Sequence, residues 1–373
     1  MIGSNDISRD VYGLLGIPID PVDMPAVLHR IENAAALKIP FLISTANLNF
    51  LIASQFDREF RKSLLSSDLC TADGMPIIWL AHLLDIPIKQ RIAGSDIFEA
   101  LKATEWSDRP LKVFLFGGAE GVAASACKKL NDERCGLICV GAFYPGFGTL
   151  DEISTNHVTD MINASGADFL AVALGAKKGQ AWLLRNHDRL RVPVRVHLGA
   201  TLNFQAGTIK RAPGTFQRWG IEWLWRIKEE PQLWKRYRND GIAFLRLLST
   251  RVIPLLVLTK WERYRSGSAP HGLQITRTDD HESVIFSLNG AAVAKNVDQA
   301  VSYFNSTAIN PATVVINFAA TSQIDARFLG LLLMLDKLLK SRQKRLQLVG
   351  VSARLERYFR LNGFEFLLRP VAE

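Results

Sequence analysis

Short, continuous apolar runs alternate with segments of helical periodicity in the first part of this chain. The apolar runs lie at residues 41–44, 111–116, 136–141, 169–174 and 194–198, and they predict buried strands. Between them, apolar residues recur at spacings of three and four, which is typical of helices packed on a sheet. This alternation predicts an α/β fold with a Rossmann-like parallel sheet.

Four of these strands are followed by glycine, at Gly117 and Gly118, at Gly141, at Gly175 and at Gly199. In a parallel α/β sheet the ligand crevice lies at the carboxyl ends of the strands. The Gly117–Gly118 pair precedes a helix, whose amino-terminal amides can meet a phosphate. The pair is not a full GxGxxG fingerprint, and a plain strand–turn–helix fits the same residues.

Three polar loop tips follow apolar elements, at residues 45–47 (Thr-Ala-Asn), 72–74 (Ala-Asp-Gly) and 91–96 (Arg-Ile-Ala-Gly-Ser-Asp). Polar loops on a rigid scaffold commonly carry function. Asp73 is the one carboxylate between a short apolar run and a glycine turn. The alternative is that Asp73 has only a structural role, as a turn or helix-cap aspartate, since Asp-Gly is common in turns.

The charge is concentrated in one segment. Of the net charge of +9, residues 209–265 carry +8, together with five of the eight tryptophans. Basic residues mixed with tryptophan and leucine favour an anionic membrane surface. Nucleic acid is excluded as the partner, because the usual fold signatures are missing. The segment has a helical pattern broken at Pro231 and Pro254, and a helical pair packed on the catalytic domain or on a neighbouring subunit is the alternative.

Three features of the sequence bear on where in the cell the protein is located. No signal peptide is recognised at the start of the chain, and no run of 18 uncharged apolar residues predicts a spanning helix. The four cysteines have neither CxxC spacing nor nearby histidine pairs, so we expect reduced thiols and no metal site. We therefore expect a cytoplasmic protein, peripheral on the inner face of the cell membrane.

A different pattern begins after a linker at residues 263–272. Strands are predicted at 283–288, 313–318 and 346–349, and helices at 297–304, 326–339 and 354–361. The chain thus divides into an α/β core (1–208), a basic tryptophan-rich helical appendage (209–265) and a small α/β domain (266–373).

The loop motifs together resemble the WecG/TagA/CpsF family of glycosyltransferases (glycosyltransferase family 26). Besides the three loop tips, the matching segments are 117–118, 174–176, 199–200, 206–207, 211–213 and 222–226. The resemblance implies inverting transfer of a sugar of the N-acetylmannosamine, mannosaminuronic acid or glucose type. It further implies a UDP-sugar donor and a polyprenyl-pyrophosphate-linked sugar acceptor. The implied pathway is exopolysaccharide or cell-wall polymer assembly, and neither a metal nor a cofactor is expected.

The resemblance also assigns roles to residues. Asp73 is the expected general base on the acceptor hydroxyl, and Thr45 and Asn47 are expected to position the acceptor sugar. Without an Asp-x-Asp metal loop, amides and arginines must meet the diphosphate. The expected substrate-binding residues are Arg91, Gly94, Gly117, Gly118, Gly175, Gln180, Asn203, Arg211, Arg226, Arg236 and Arg238. For the last three, a solvated basic face that meets lipid headgroups is the alternative.

One stretch departs from the family pattern. The family has Gly-x-Pro-Lys-Gln-Glu before a tryptophan, whereas here, between Gly175 and Trp182, Gly179 replaces the glutamine and Gln180 the glutamate. Either donor recognition differs or activity is weakened. The alternative function is therefore a catalytically degenerate scaffold that acts through its C-terminal domain. An epimerase-like enzyme would need a dinucleotide fingerprint that this sequence lacks.

The C-terminal domain resembles STAS domains, the fold of anti-anti-sigma factors. Switched members carry serines after an aspartate, whereas here Ala326 and Arg327 follow Asp325. Thr321 and Ser322 precede it. We expect a constitutive docking module for a protein partner, with a regulated module as the alternative.

Overall fold

The computed structural model describes residues 6–106, 109–266, 272–280, 283–305 and 312–368. Part of the predicted linker, residues 267–271, lies outside this range. The strands are β1 (Tyr12–Leu14), β2 (Ile17–Ile19), β3 (Phe41–Ala46), β4 (Leu69–Ala72), β5 (Leu111–Gly117), β6 (Leu137–Phe143), β7 (Phe169–Ala173), β8 (Val194–His197), β9 (Leu273–Asp279), β10 (Ser283–Ala292), β11 (Thr313–Ile324) and β12 (Arg345–Val349).

The helices account for most of the remaining described chain. They are α1 (Met24–Leu37), α2 (Leu48–Phe56), α3 (Arg58–Leu65), α4 (Met75–Leu83), α5 (Gly94–Ala103), α6 (Val122–Glu133), α7 (Asn156–Ala164), α8 (Ala176–Arg185), α9 (Thr201–Ala206), α10 (Gly214–Arg218), α11 (Glu222–Glu229), α12 (Trp234–Leu247), α13 (Ile253–Ser266), α14 (Val297–Asn305), α15 (Ala326–Ser341) and α16 (Ala353–Leu361).

The chain forms two compact units. The larger unit consists of residues 22–78 and 88–242, and the smaller unit of residues 1–21, 79–87 and 243–373. This division differs from the boundaries drawn on the sequence, because the beginning of the chain folds with its C-terminal domain.

The larger unit is built on a six-stranded sheet in the order β4-β3-β8-β7-β5-β6, in which every pairing is parallel. Alternate strand residues feed two cores, one on each face. Ile43, Val113 and Val196 face one core, and Leu42 and Phe114 face the other. The predicted parallel α/β fold is confirmed, and both faces of the sheet are covered, as its continuous apolar strands require.

Two local features of this unit are not evident from the sequence pattern. Two helices, α2 and α3, follow β3, because Asp57 leaves helical geometry and caps α3 by accepting the Phe60 N–H at 3.0 Å. Cys127 on α6 and Cys139 on β6 form a disulfide, so the expected reduced thiols are not found at this pair. Their spacing in sequence does not show that α6 packs against β6.

The smaller unit contains a four-stranded mixed sheet in the order β12-β11-β10-β9, with β9 antiparallel at one edge. The predicted elements of the C-terminal α/β domain are confirmed, and β9 is an additional strand. Helix α15 is buried nearly all round, including Leu331, Met334 and Leu335. A helix that is apolar on every side needs partners on every side.

The start of the chain covers one side of α15. Residues 6–20, here called the N-terminal arm, form a short helical turn and the β1–β2 hairpin. The carbonyl of Val11 lies so close to α15 that a Cβ added at Gly330 would be 1.9 Å from its oxygen. Arg327 donates to the same carbonyl at 3.2 Å and pairs with Asp10 at 2.8 Å. Sequence periodicity assigned these residues to the α/β core, since it carries no information on such distant contacts.

The appendage is helical through Pro254, so the predicted break there is wrong. A π-helical turn, Leu248–Val252, comes just before α13, and Pro254 sits in the first turn of α13. Pro254 has no N–H to donate to the preceding turn, and the π-helical turn directly before it changes the hydrogen-bond pattern at this point of the continuous helix. In the described residues, one helix, Pro231–Lys260, is long and apolar enough by length and composition to cross a membrane, and 17% of its most apolar stretch is buried. This helix contains Arg246 and Arg251, so it is not the uncharged apolar run that the sequence lacks, and it meets the criterion by length and composition only.

Candidate active site

Asp73 lies at the carboxyl edge of the parallel sheet, directly after β4. Its backbone N–H donates to the carbonyl of Ala46 at 2.8 Å, which fixes its loop to the end of β3. Gly74 turns the chain with φ +107°, a conformation that favours glycine. A Cβ added at Gly74 would lie 4.0 Å from Cβ of Asn47. Two of the predicted loop tips are therefore neighbours.

Thr45 and Asn47 end the adjacent strand. Asn47 caps α2, where Oδ1 accepts the Phe50 N–H at 3.1 Å, and its amide nitrogen stays available for other contacts. Thr45 is buried against the start of α5, since a Cβ added at Gly94 would lie 3.4 Å from its Oγ1. The first residue of α5 must be small for these segments to meet.

An ion-pair network surrounds Asp73. The Nη1 of Arg91 lies 3.9 Å from Oδ1 of Asp73 and 3.4 Å from Oε2 of Glu222, and its Nη2 lies 3.0 Å from Asp96. Arg211 pairs with the other oxygen of Asp96. Three carboxylates thus share two guanidinium groups, so the cluster has a deficit of positive charge.

This environment sets the protonation of Asp73. Burial raises the pKa of Asp73 to about 7, against the lowering effect of Arg91 and with further raising by Glu222 and Asp96. The side chain is still 22% exposed. Asp73 is therefore a reachable carboxyl that exchanges a proton near neutral pH, which is the property of a general acid or base.

The predicted glycines lie along the same edge of the sheet. Gly117 and Gly118 have φ of +104° and +81°, and the Gly118 N–H donates to the Ala173 carbonyl at 2.7 Å. Gly175 caps α8, and a Cβ added there would meet nothing within 4 Å. The ends of β5 and β7 thus present backbone with open space beside Gly175.

Gln180 is placed in the interior rather than at this edge. It is fully buried, and its amide donates to Oγ of Ser44 at 3.1 Å. The room beside the preceding residue, Gly179, is filled by the imidazole of His197, because a Cβ at that glycine would lie 2.2 Å from the ring.

The remaining predicted residues are spread more widely. Arg226 pairs with Glu230 on its own helix, and Arg236 lies 4.8 Å from the ring of the neighbouring Tyr237. Arg238 is exposed. Asn203 accepts the N–H of Thr208 with its backbone carbonyl at 3.0 Å and is half-buried. None of these four takes part in the described ion pairs around Asp73.

Asp96 and Glu222 are functional candidates that the sequence patterns did not identify. Both stand inside motifs that pointed to the site, at residues 91–96 and 222–226. An acid three residues into a helix is ordinarily a cap, and Asp96 does accept the Ala93 N–H at 3.2 Å. Only the fold shows that it also joins Arg91 to Arg211. Within the described ranges, no group of three or more His, Cys, Asp or Glu side chains could hold a metal ion.

Comparison with known proteins identifies the family of this chain. Residues 12–255 match the model of the Glycosyl transferase WecG/TagA/CpsF family. The chain belongs to this glycosyltransferase family. Residues 273–373 match the STAS domain. Both resemblances noted in the sequence are thereby confirmed.

Two relatives of the WecG/TagA/CpsF region are named N-acetylglucosaminyldiphosphoundecaprenol N-acetyl-beta-D-mannosaminyltransferase. The protein of Bacillus spizizenii (strain W23) is 28% identical over 61% of this chain and 82% of its own length. That of Bacillus subtilis (strain 168) is 27% identical over 53% of this chain and 75% of its own length. A structure of the Bacillus cell fate determinant SpoIIAA in the phosphorylated form matches 27% of this chain and 93% of its own, with 21% identity and a TM-score of 0.23.

Proposed function

We propose that this glycosyltransferase moves a sugar from a UDP-sugar to a polyprenyl-pyrophosphate-linked sugar with inversion, and that Asp73 is the general base. The observation that carries the proposal is a carboxyl with a pKa of about 7 at the carboxyl edge of a parallel sheet. The names of the two relatives support N-acetylmannosamine as the donor sugar and a lipid-diphosphate-linked N-acetylglucosamine as the acceptor.

In this mechanism the acceptor hydroxyl oxygen attacks the anomeric carbon of the donor. Asp73 takes the hydroxyl proton as the new carbon–oxygen bond forms, and the bond to the diphosphate breaks to release UDP. A base whose pKa is near the working pH is suited to this transfer. Asn47 stands beside the Asp73 loop, where its free amide nitrogen can hold an acceptor hydroxyl.

The leaving diphosphate needs positive charge or N–H donors. The backbone at Gly117, Gly118 and Gly175 offers close approach at the ends of β5 and β7. Arg226 is a further candidate for this role, since a guanidinium matches phosphate oxygens and its Nε has no partner among the described residues. This set requires no metal.

We place the enzyme at the membrane, where its lipid-linked acceptor resides. The appendage exposes large apolar side chains among its basic residues, including Trp219 (73%), Trp234 (53%) and Leu245 (66%). Aromatic and leucine side chains of this kind enter the interfacial layer while basic groups meet anionic headgroups. We favour peripheral attachment through this surface, and extraction at alkaline pH distinguishes it from a spanning helix.

For the STAS domain we propose a constitutive rather than a switched role. Arg327, at a position where switched members carry serine, is 8% exposed and paired with Asp10. The preceding Asp325 is occupied as the cap of α15, where it accepts the N–H of Phe328 at 2.9 Å. A docked protein partner therefore meets a surface that phosphorylation at this position does not control.

The test is turnover with purified full-length protein. UDP-N-acetylmannosamine, UDP-N-acetylglucosamine and UDP-glucose are offered with a polyprenyl-pyrophosphate-linked N-acetylglucosamine analogue, and UDP release is measured. We expect turnover with one donor in the wild type, loss of at least a hundredfold in Asp73→Asn, and normal turnover in Asp132→Asn, an exposed carboxylate on α6. Turnover retained in Asp73→Asn contradicts its role as base.

Complete absence of turnover with folded wild-type protein favours the alternative, a scaffold that retains the fold. The departure at residues 177–181 is the observation on its side, since Gly179 lacks a side chain and Gln180 is buried. Against it stands the ion-pair cluster around Asp73, in which a carboxyl has a pKa raised to about 7, a feature typical of active sites.

A further inference from the structure

His197 occupies the space that a side chain at residue 179 would need. A Cβ added at Gly179 would lie 2.2 Å from Cδ2 and 2.8 Å from Nε2 of the imidazole. Real Cβ atoms do not approach other atoms this closely, so a side chain at 179 and the observed ring exclude one another. The glycosyltransferase pattern described above has glutamine at this position. Here a histidine from a neighbouring strand fills the same volume.

The imidazole is held in one orientation and one tautomer. Its Nε2 lies 2.5 Å from the carbonyl oxygen of Leu174, and because a carbonyl only accepts, Nε2 carries the proton. Nδ1 is then the unprotonated acceptor. In the part of the chain that the structure describes, no group hydrogen-bonds to Nδ1. Burial lowers the pKa of His197 below its usual 6.5, which keeps the ring neutral at pH 7.

The position of His197 is tied to the candidate active site on two sides. It is the last residue of β8, at the carboxyl edge and next to β3. Its ring centroid lies 6.1 Å from that of Phe50, in the helical turn that Asn47 caps. The following residue, Leu198, touches the start of α5, since a Cβ added at Gly94 would lie 2.9 Å from its side chain.

We propose that His197 is a substrate-binding residue, whose Nδ1 accepts a hydrogen bond from a hydroxyl or amide N–H of a sugar substrate. It would do so in place of a glutamine side chain from residue 179. The proposal rests on the proposed transferase function. It assigns binding and orientation to His197, while the proton of the acceptor still passes to Asp73. The departure from the family pattern at 177–181 then means that the polar group comes from His197 instead of from residue 179, and that it has not been lost.

Two conservative variants separate this role from a structural one. His197→Gln can still donate to the Leu174 carbonyl but has no acceptor at the place of Nδ1. His197→Asn places an amide oxygen close to Nδ1 but cannot reach Leu174. We expect the KM of one substrate to rise about tenfold in His197→Gln and to stay within twofold in His197→Asn, with kcat changed less than KM in both.

The identity of the affected substrate follows from which KM changes. A rise in the UDP-sugar KM assigns the contact to the donor, and a rise in the acceptor KM assigns it to the lipid-linked sugar. A structural role predicts the opposite order, with His197→Gln close to wild type and His197→Asn impaired. That order, or equal KM values in the two variants, overturns the proposal.

A binding measurement keeps the test independent of turnover. Full-length Asp73→Asn protein with ¹⁵N-labelled histidine is titrated with UDP-N-acetylmannosamine and, separately, with the acceptor analogue. We expect the Nδ1 resonance of His197, identified by its loss in His197→Gln, to shift on saturation while Nε2 stays protonated. If a substrate binds and Nδ1 does not respond to either, the proposal is wrong even where the transferase function holds. If Nδ1 responds and the wild type shows no turnover, the transferase proposal fails and the binding role of His197 stands.

The reciprocal exchange provides a second check. Gly179→Gln alone should lose stability or binding, because its side chain collides with the imidazole. The double variant Gly179→Gln with His197→Gly removes the collision and should recover at least part of the lost KM. If the double variant regains its melting temperature but its KM is no better than that of Gly179→Gln, the glutamine does not replace the contact made by His197, and the proposal is wrong.

Discussion

The raised pKa of Asp73 predicts that this residue lowers the free energy of unfolding, and that the loss grows as the pH rises. The folded carboxyl has a pKa of about 7 and the unfolded one about 3.8, so the folded chain binds more protons between these values. Stability therefore falls as pH rises through this window. Asp73→Asn removes the titrating group and leaves a neutral side chain of nearly equal size.

The magnitude follows from the two pKa values. Each pKa unit corresponds to 1.36 kcal/mol, so the ionisation of Asp73 disfavours folding by about 2 kcal/mol at pH 5 and about 4 kcal/mol at pH 8.5. We expect the free energy of unfolding of Asp73→Asn to exceed that of the wild type by a margin that grows by about 2 kcal/mol between these pH values.

The assay is urea unfolding of both proteins at pH 5 and pH 8.5, followed by circular dichroism. The comparison at each pH cancels the other titrating groups, and Asp132→Asn serves as the matched control with a constant margin. The same pKa predicts that wild-type kcat/KM falls tenfold per pH unit below about 7 and is level above it. A margin that is flat with pH, or a kcat/KM profile without a break near 7, refutes the reasoning.

Three further outcomes are expected. Arg91→Ala removes the cation that lowers the pKa of Asp73, so the break in the kcat/KM profile should move to higher pH, whereas Arg91→Lys should keep it in place. Gly330→Ala sets a Cβ 1.9 Å from a carbonyl oxygen of the N-terminal arm, and we expect a loss of about 3 kcal/mol or more in the unfolding of the smaller unit, with Gly241→Ala, an unobstructed helical glycine, as the control for thermal melting. Trp234→Ser with Leu245→Ser should weaken binding to phosphatidylglycerol vesicles at least tenfold in a sedimentation assay, and unchanged binding would show that this face does not enter the membrane.

The sheet and its edge could be predicted because their signals are local. A parallel strand covered on both faces is a continuous apolar run, and β5 and β7 have this form. Because the carboxyl ends of parallel strands share one edge, the loops that carry Asp73 and Asn47 could be expected to be neighbours.

What could not be predicted depends on contacts between distant segments. Asp96 and Glu222 are ordinary helical acids in the sequence, and their shared partner Arg91 appears only in the fold. The substitution of Gly179 was readable as a lost side chain, but the compensating His197 comes from another strand. Periodicity reports which face of an element is buried and does not identify what buries it.

The contacts of the N-terminal arm determine which segments can be removed from this protein without damage to its fold. Since residues 6–20 complete the surroundings of α15, the STAS region cannot be excised at residue 273 without uncovering an apolar helix. Truncation of the first twenty or so residues would likewise damage the far end of the chain rather than the sheet that carries Asp73. The smaller unit is thus formed mainly by the two ends of the polypeptide, with residues 79–87 contributed from between the two segments of the larger unit. During synthesis the arm leaves the ribosome first, but it cannot pack against α15 until that helix, near the end of the chain, has been made.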